Sequence, residues 1–296
     1  MSAIRTEKLS KYYGKRRGVV ELDLEVHPGE VFGFLGPNGA GKTTTIRVLL
    51  DLIRPSSGQA WVLGQPVRGN ARLRQRIGYL PGELSFYDGL TGWELFRYFG
   101  RLRDRLDTAY LKQLLERFDL DPSRKLRTLS KGNKQKVGLV QAFMHRPELL
   151  ILDEPTAGLD PLLQIEFQKM VREVQWQGAT VFLSSHVMGE VQALCDRVGI
   201  IREGRLVAVS AIGELAERSL RRVRIRFDEA INPKEWAQVP GLKDLRFEGD
   251  WLEATVQGSL DPLIKAAAQH RVRDFISQEP SLEEIFLTYY DSRSAA

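Results

Sequence analysis

Val31-Phe32-Gly33-Phe34-Leu35-Gly36-Pro37-Asn38-Gly39-Ala40-Gly41-Lys42-Thr43-Thr44 passes from an apolar pentapeptide through a glycine-rich loop into helical spacing. The pentapeptide reads as a buried strand. The apolar residues from Thr44 to Ile53 recur at helical intervals until Pro55 and Gly58 stop them. Residues 36 to 43 match GxxxxGK(S/T) between strand and helix, the context that makes this pattern a phosphate-binding loop rather than a glycine-rich turn.

The chemistry of that loop follows from its residue types. Glycines let backbone N–H groups converge on phosphate oxygens, and the helix beginning there presents the positive end of its dipole. Gly36, Pro37, Asn38, Gly39, Ala40, Gly41, Lys42, Thr43 and Thr44 are therefore the expected nucleotide contacts. Lys42 neutralises the outer phosphates, and Thr43 can place its hydroxyl on Mg²⁺. Further on, Leu149-Leu150-Ile151-Leu152-Asp153-Glu154 ends a second buried apolar run on two carboxylates. Carboxyl ends of parallel strands host ligands. Asp153 is the expected partner of the metal through water, and Glu154 is the expected group to orient or deprotonate an attacking water. Taken alone, the pair could equally be a helix N-cap. With the phosphate loop it reads as catalytic, in a P-loop NTPase whose subclass these residues leave open.

Working outward, Ile4 to Leu9 and Val19 to Val26 read as strands before the turn His27-Pro28-Gly29-Glu30, giving an N-terminal antiparallel β subdomain. From Leu84 to His145 the pattern turns helical, as in Tyr110-Leu-Lys-Gln-Leu-Leu-Glu-Arg-Phe. The runs at Leu149, Thr180 and Val198 alternate with helical segments from Leu162 to Gln175 and Met188 to Asp196. That alternation implies an α/β fold with a mixed, mainly parallel sheet. After about Ser210 the character changes: Val223 to Phe227 and Leu252 to Val256 alternate as strands, and Leu260 to Gln269 and Leu282 to Tyr290 read as helices. The expected organisation is a nucleotide-binding domain over 1–211, with a helical subdomain at about 84–145, and a small C-terminal α+β domain over 212–296.

Composition bounds the rest. The chain has 296 residues, 43% of them hydrophobic, enough for one large core and a smaller one. Its apolar runs fall far short of the roughly 18 residues of a membrane-spanning helix, and Met1-Ser-Ala-Ile-Arg-Thr-Glu carries no secretory pattern. A cytoplasmic location is expected. Cys195 is the single cysteine, which excludes an internal disulfide and reads as buried packing. The net charge of +5 suits an anionic ligand, a lipid surface or nucleic acid equally. The clusters Lys15-Arg16-Arg17, Arg101 with Arg103 and Arg105, and Arg221-Arg222 with Arg224 and Arg226 read as solvated faces.

Leu129-Ser130-Lys131-Gly132-Asn133 opens a helical stretch before Asp153 and narrows the class. With the two motifs above it resembles the LSGGQ signature of the ATP-binding cassette (ABC) ATPases, although Lys131 and Asn133 replace a glycine and the glutamine. Ser130 and Gly132 at a helix N-terminus can grip a γ-phosphate, with Lys131 adding charge. Ala157-Gly158-Leu159-Asp160 is similar to the family's D-loop. Ser184-Ser185-His186 is similar to its switch-histidine segment, where the resemblance implies that His186 contacts the γ-phosphate and holds the catalytic carboxylate and water in line. Tyr12 or Tyr13 resembles the tyrosine that stacks on adenine, and Tyr13 beside Gly14 matches more closely. Where the family has a glutamine after Ile77-Gly78-Tyr79-Leu80-Pro81, this chain has Gly82 and then Glu83. Either the Glu83 carboxylate binds Mg²⁺ in its place or the metal keeps an extra water.

The wording around these motifs looks most like bacterial ABC-2 type exporters of the drug, lipid or sodium export kinds, over roughly residues 4 to 210. The resemblance implies ATP and Mg²⁺ as cofactors and a head-to-tail pair with a second ATP-binding subunit, homodimeric or heterodimeric. The phosphate loop of one copy then faces Ser130, Lys131, Gly132 and Asn133 of the other, near Asp160. It further implies integral membrane permease subunits docked on the helical insertion around Leu84 to Arg105, where Phe86, Tyr87, Leu90 and Trp93 are either docking contacts or helix core. The chain would then sit at the cytoplasmic face of the cell membrane. No nucleic acid is expected. The alternative, a soluble non-transport ABC ATPase acting on ribosome or nucleic acid, would bring two cassettes or a long coiled coil, and neither pattern is present. Phe275, Phe286, Tyr289 and Tyr290 fit a C-terminal domain that regulates, stabilises or extends dimerisation, and dimerisation is the expectation.

Overall fold

The computed structural model describes residues 1–87, 89–103, 106–217, 220–229 and 231–278. Arg105, Phe286, Tyr289, Tyr290 and the helix expected over 282–290 lie outside the described residues. The chain divides into two compact units, Met1–Ser210 and Ala211–Ala296. In the first, β1 (Ile4–Tyr13), β2 (Arg16–Val26), β3 (Val31–Leu35), α1 (Lys42–Leu49), β4 (Ser57–Val62), β5 (Gln65–Pro66) and β6 (Ile77–Leu80) are followed by α2 (Gly92–Arg101), α3 (Thr108–Arg117) and α4 (Lys131–Phe143). Then come β7 (Leu149–Asp153), α5 (Pro161–Trp176), β8 (Thr180–Ser185), α6 (Met188–Leu194), β9 (Arg197–Arg202) and β10 (Arg205–Ala211).

Two sheets build this unit. An antiparallel one has the order β2-β1-β4-β5, and a six-stranded one has the order β10-β9-β3-β8-β7-β6, with β9, β3, β8, β7 and β6 parallel. Every residue of β3, β7 and β8 is buried, as strands covered on both faces require. Phe32 and Phe34 of β3 pack on Phe182 of β8, with ring centroids 5.9 and 5.4 Å apart. The sheet thereby brings the carboxyl ends of β3, β7 and β8 side by side, which positions the phosphate loop, the acidic pair and His186 together.

Two helical expectations are corrected. The helix after the phosphate loop stops at Leu49 instead of Ile53, because Asp51 turns left-handed (φ 56°) and the N–H groups of Leu52 and Ile53 fold back onto the Arg47 carbonyl. The helical pattern expected from Leu84 begins only at Gly92. Thr91 and Glu94 there form a reciprocal capping box that fixes the start, leaving Leu84 to Tyr87 outside the helix. Asp107 and Ser130 cap α3 and α4 with a single bond each, accepting the N–H groups of Tyr110 and Asn133.

His145, just past α4, lies against β6 with Nε2 3.2 Å from the Ile77 carbonyl oxygen, while its buried Nδ1 has no partner. Burial first, and the Arg103 charge second, push its pKa from 6.5 down to about 4. The unfolded chain therefore binds more protons than the folded one between these values, so stability is present above pH 6.5 and falls as the pH drops toward 4. The expected loss is about 3 kcal/mol across that window. Urea midpoints measured from pH 7 to pH 4 should fall less steeply for His145→Phe than for the wild type; parallel curves would rule the group out as the cause.

The second unit contains α7 (Ile212–Glu217), β11 (Leu220–Phe227), α8 (Pro233–Trp236), β12 (Leu242–Glu248), β13 (Trp251–Gln257), α9 (Asp261–Ala267) and β14 (Val272–Gln278). From β11 onward this is βαββαβ, with sheet order β12-β13-β11-β14, the split-βαβ arrangement of ferredoxin-like folds. Val223, Ile225 and Phe227 alternate onto one face with Leu252 and Val256, under Trp236 and Leu263. Arg224 and Arg226 alternate to the other and pair with Glu253 and Asp250, so those arginines form a solvated ion-paired face.

Candidate functional site

Sequence sets the phosphate loop's shape through glycine. Gly39 and Gly41 have φ of 80° and 113°, and a Cβ built on Gly41 would stand 2.5 Å from the Gly18 carbonyl oxygen. Gly41 is also the N-cap of α1 and has no side chain to cap it. The first-turn N–H groups of α1, which have no partner within the helix, are left for an outside acceptor. Lys42 is buried. Its Nζ donates to the carbonyl oxygens of Gly36 (2.6 Å) and Pro37 (3.4 Å) and stands 3.2 Å from Glu154 Oε1.

The loop forms one wall of a cavity of about 390 Å³ lined also by Tyr13, Arg17, Arg47, Tyr79, Gly82, Glu83, Asp153 and Glu154. Of the two adjacent tyrosines, Tyr13 reaches this wall; it is half exposed, with Lys11 Nζ 5.3 Å from its ring centroid. Gly82 lies so near the acidic pair that a Cβ there would meet Asp153 Oδ2 at 3.2 Å. Glu83 is exposed on the same rim.

Asp153 is buried at the end of β7. Its Oδ2 accepts from Thr43 Oγ1 at 2.8 Å, and its Oδ1 accepts from Ser184 Oγ. Ser184 was not anticipated, and it has a double role: the same hydroxyl oxygen accepts the Glu154 N–H at 3.1 Å. Glu154 follows in a left-handed conformation (φ 50°), which costs a non-glycine residue about 1 to 2 kcal/mol. Its carboxylate lies between Lys42 and His186, with His186 Nδ1 2.8 Å from Oε2. No helix starts at the acidic pair, so the N-cap alternative falls. The cap of the next helix is Asp160, whose Oδ1 accepts the Leu163 N–H at 3.0 Å.

Two further residues were given no role by the sequence. Glu190 on α6 accepts from Thr156 Oγ1 and Ser185 Oγ, tying the segment after Glu154 to the one carrying His186. Gln135 on α4 is buried and donates to the carbonyl oxygens of Glu154 and Pro155. Both are polar side chains in helices, which sequence patterning alone reads as surface.

The structure does not bring Ser130, Lys131, Gly132 or Asn133 to this cavity. Ser130 caps α4 by accepting the Asn133 N–H at 3.3 Å. A Cβ on Gly132 would stand 2.9 Å from the Gly158 carbonyl oxygen, so the signature segment lies against the loop that leads to Asp160.

These features have counterparts in known proteins. The family described as ABC transporter matches residues 19–157. An uncharacterized ABC transporter ATP-binding protein of Synechocystis sp. is 35% identical over 97% of this chain and 84% of its own length. The linearmycin resistance ATP-binding protein LnrL of Bacillus subtilis is 32% identical over 96% of this chain and 97% of its own. A solved structure of an ATP-binding subunit of an ABC transporter superposes with a TM-score of 0.68 at 30% identity, over 72% of this chain and 92% of that one. With near full-length relatives at this identity, and a glycine-rich loop and an acidic pair lining one cavity, the chain belongs to the ABC transporter ATP-binding proteins, which bind and hydrolyse ATP.

Proposed function

We propose that this chain is the motor subunit of an ABC exporter, its first unit the ATP-binding domain and its second an accessory domain. The observation that carries the catalytic part is convergence: Lys42 and His186 both lie within 3.2 Å of one carboxylate at the edge of the phosphate-loop cavity. ATP hydrolysis transfers the γ-phosphoryl group to water. Glu154 accepts the water proton, His186 holds the Glu154 carboxylate in line, and Lys42 with the α1 N–H groups binds the phosphate oxygens. The carboxylate is preorganised at the cost of a strained backbone, as function-bearing residues often are.

The donors near the phosphate loop fit Mg²⁺. A threonine hydroxyl and a carboxylate are hard oxygen ligands, and Thr43 Oγ1 and Asp153 Oδ2 already lie 2.8 Å apart. Thr43 would hold the ion directly, Asp153 through water, and Glu83 on the same rim would add a carboxylate. When bound, the ion neutralises charge on the phosphate oxygens.

Ser130, Lys131, Gly132 and Asn133 lie away from this chain's own cavity, which favours their use by a second ATP-binding subunit in a head-to-tail pair beside Asp160. Phosphate contacts made by both subunits close the pair, and loss of those contacts after hydrolysis opens it. Among the described residues no helix is long and apolar enough to cross a membrane. In this reading separate permease subunits supply the membrane path, and the chain sits at the cytoplasmic face of the membrane. An apolar groove of about 280 Å³, lined by Leu84, Phe86, Tyr87, Leu95 and Phe99, supplies their docking surface. Phe86 and Tyr87 belong to the loop before α2, where a partner helix can reach them, whereas Leu95 and Phe96 form the buried side of α2. Arg103 also lines the groove, and its buried Nε has no hydrogen-bond partner. Export over import rests on the sequence likeness and on a near full-length relative named for linearmycin resistance.

The test is copurification of the tagged chain from detergent-solubilised native membranes, with ATPase activity measured with and without its companions. A polytopic membrane protein that raises turnover is the expected result. A solitary active dimer or a ribosome-bound chain would overturn the transporter reading.

A further inference from the structure

We infer that Gln135 is a positioning residue for ATP hydrolysis, which sets the Glu154 carboxylate from inside the signature helix; this rests on the reading of Glu154 as the base. The argument begins with the backbone. Glu154 occupies the left-handed region at φ 50°, a conformation that persists in a non-glycine residue only where neighbouring bonds hold it. On the amide side, the Glu154 N–H donates to the Ser184 carbonyl oxygen (3.2 Å) and to Ser184 Oγ (3.1 Å). On the carbonyl side, the Ala157 N–H donates to Glu154 O at 3.2 Å, within the same tight turn. From outside the turn, Gln135 also holds this side, its Nε2 donating to Glu154 O at 3.3 Å and Pro155 O at 2.9 Å.

Gln135 is suited to the task by its place. It lies one turn beyond the Ser130 cap of α4 and is 4% exposed, so its amide is committed to these two carbonyl oxygens rather than to water. The bond to Glu154 O matters most, because the Glu154–Pro155 peptide has no N–H and can be anchored from its carbonyl side only. Gly132, on the same helix, meets the backbone of the loop further on at Gly158. Helix α4 thus contacts the segment that follows β7 at two points, and a small shift of its signature end is transmitted to the peptide that aims Glu154. Acting only through Glu154, Gln135 influences turnover rather than nucleotide affinity.

Two variants test this on the full chain. Gln135→Met keeps the length and removes the donor; Gln135→Glu keeps the shape and turns a carboxylate onto two carbonyl oxygens. If the methionine variant does not fold, the glutamate variant answers the same question. The expected result for both is a fall in kcat of about tenfold to a hundredfold, the scale of a slightly misplaced reacting group, with the KM for ATP changed by less than about threefold. In a Glu154→Gln background, where single-turnover phosphate release measures what activity is left, either change should cost nothing further. Wild-type kcat in the Gln135 variants, with Glu154→Gln still inactive, would overturn the inference and leave the base in place. Equal losses in both backgrounds, or a rise in KM alone, would also overturn it, since Gln135 would then act through another group. Normal turnover by Glu154→Gln would remove the base itself and the inference with it.

Discussion

Glu154→Gln binds ATP as the wild type does and loses turnover by about a thousandfold, within the range that a positioned general base contributes. The amide keeps the size of the carboxylate and can still meet His186 Nδ1 and Lys42 Nζ, which lie 2.8 and 3.2 Å from the two carboxylate oxygens. It cannot accept a proton from water at neutral pH. The phosphate contacts of the α1 N–H groups do not involve this side chain, so affinity is retained. In the proposed head-to-tail pair the variant accumulates closed, because ATP persists at both interfaces. Nucleotide binding by equilibrium dialysis, phosphate release and size-exclusion chromatography with ATP and Mg²⁺ check the three parts. A variant that turns over at the wild-type rate excludes Glu154 as the base.

The legible part of this site was the part whose function requires a fixed spacing. Glycines at 36, 39 and 41 followed by Lys42 announce a phosphate loop because the backbone itself is the ligand, and backbone geometry leaves a mark on residue choice. Asp153 and Glu154 were legible because carboxylates ending an apolar run are costly unless they have a task. The parallel strands followed in the same way: β3 has the bounds its five apolar residues suggest, and β7 and β8 extend their apolar runs only into the polar residues of the site.

What escaped the sequence were the side chains that hold these groups. Ser184 reads as one of two serines before a histidine, yet its hydroxyl joins Asp153 to the Glu154 amide. Gln135 and Glu190 lie on helices where polar residues are ordinary, and only packing of those helices on the sheet turns them inward. Both partners of Gln135, and Thr156 for Glu190, lie 19 or more positions away in sequence, a separation over which periodicity carries no information. Helix ends were missed for a related reason. The backbone left-handed turn at Asp51 ends α1 before its apolar pattern does, and the Thr91 cap delays α2 until after the aromatic pair Phe86 and Tyr87.

Lys42→Ala strikes at binding rather than at the chemical step, and its effect reaches further than one lost charge. The ammonium group holds the loop from within, through the Gly36 and Pro37 carbonyl oxygens, and it also faces Glu154 Oε1, a buried atom for which no hydrogen bond is found. Hydrogen bonds to charged groups contribute about 1.5 to 3 kcal/mol each. Losing the contacts to the outer phosphates therefore weakens ATP binding by about a hundredfold or more. The loop loses its internal ties at the same time, so ADP, which lacks the γ-phosphate, is weakened as well, though less. Glu154, left without its cation, is drawn only toward His186. Titration of the purified variant with fluorescent ATP and ADP analogues separates these effects. Full affinity for ATP with lost turnover would show instead that Lys42 serves the transition state alone, and the contacts to Gly36 and Pro37 would then be incidental to binding.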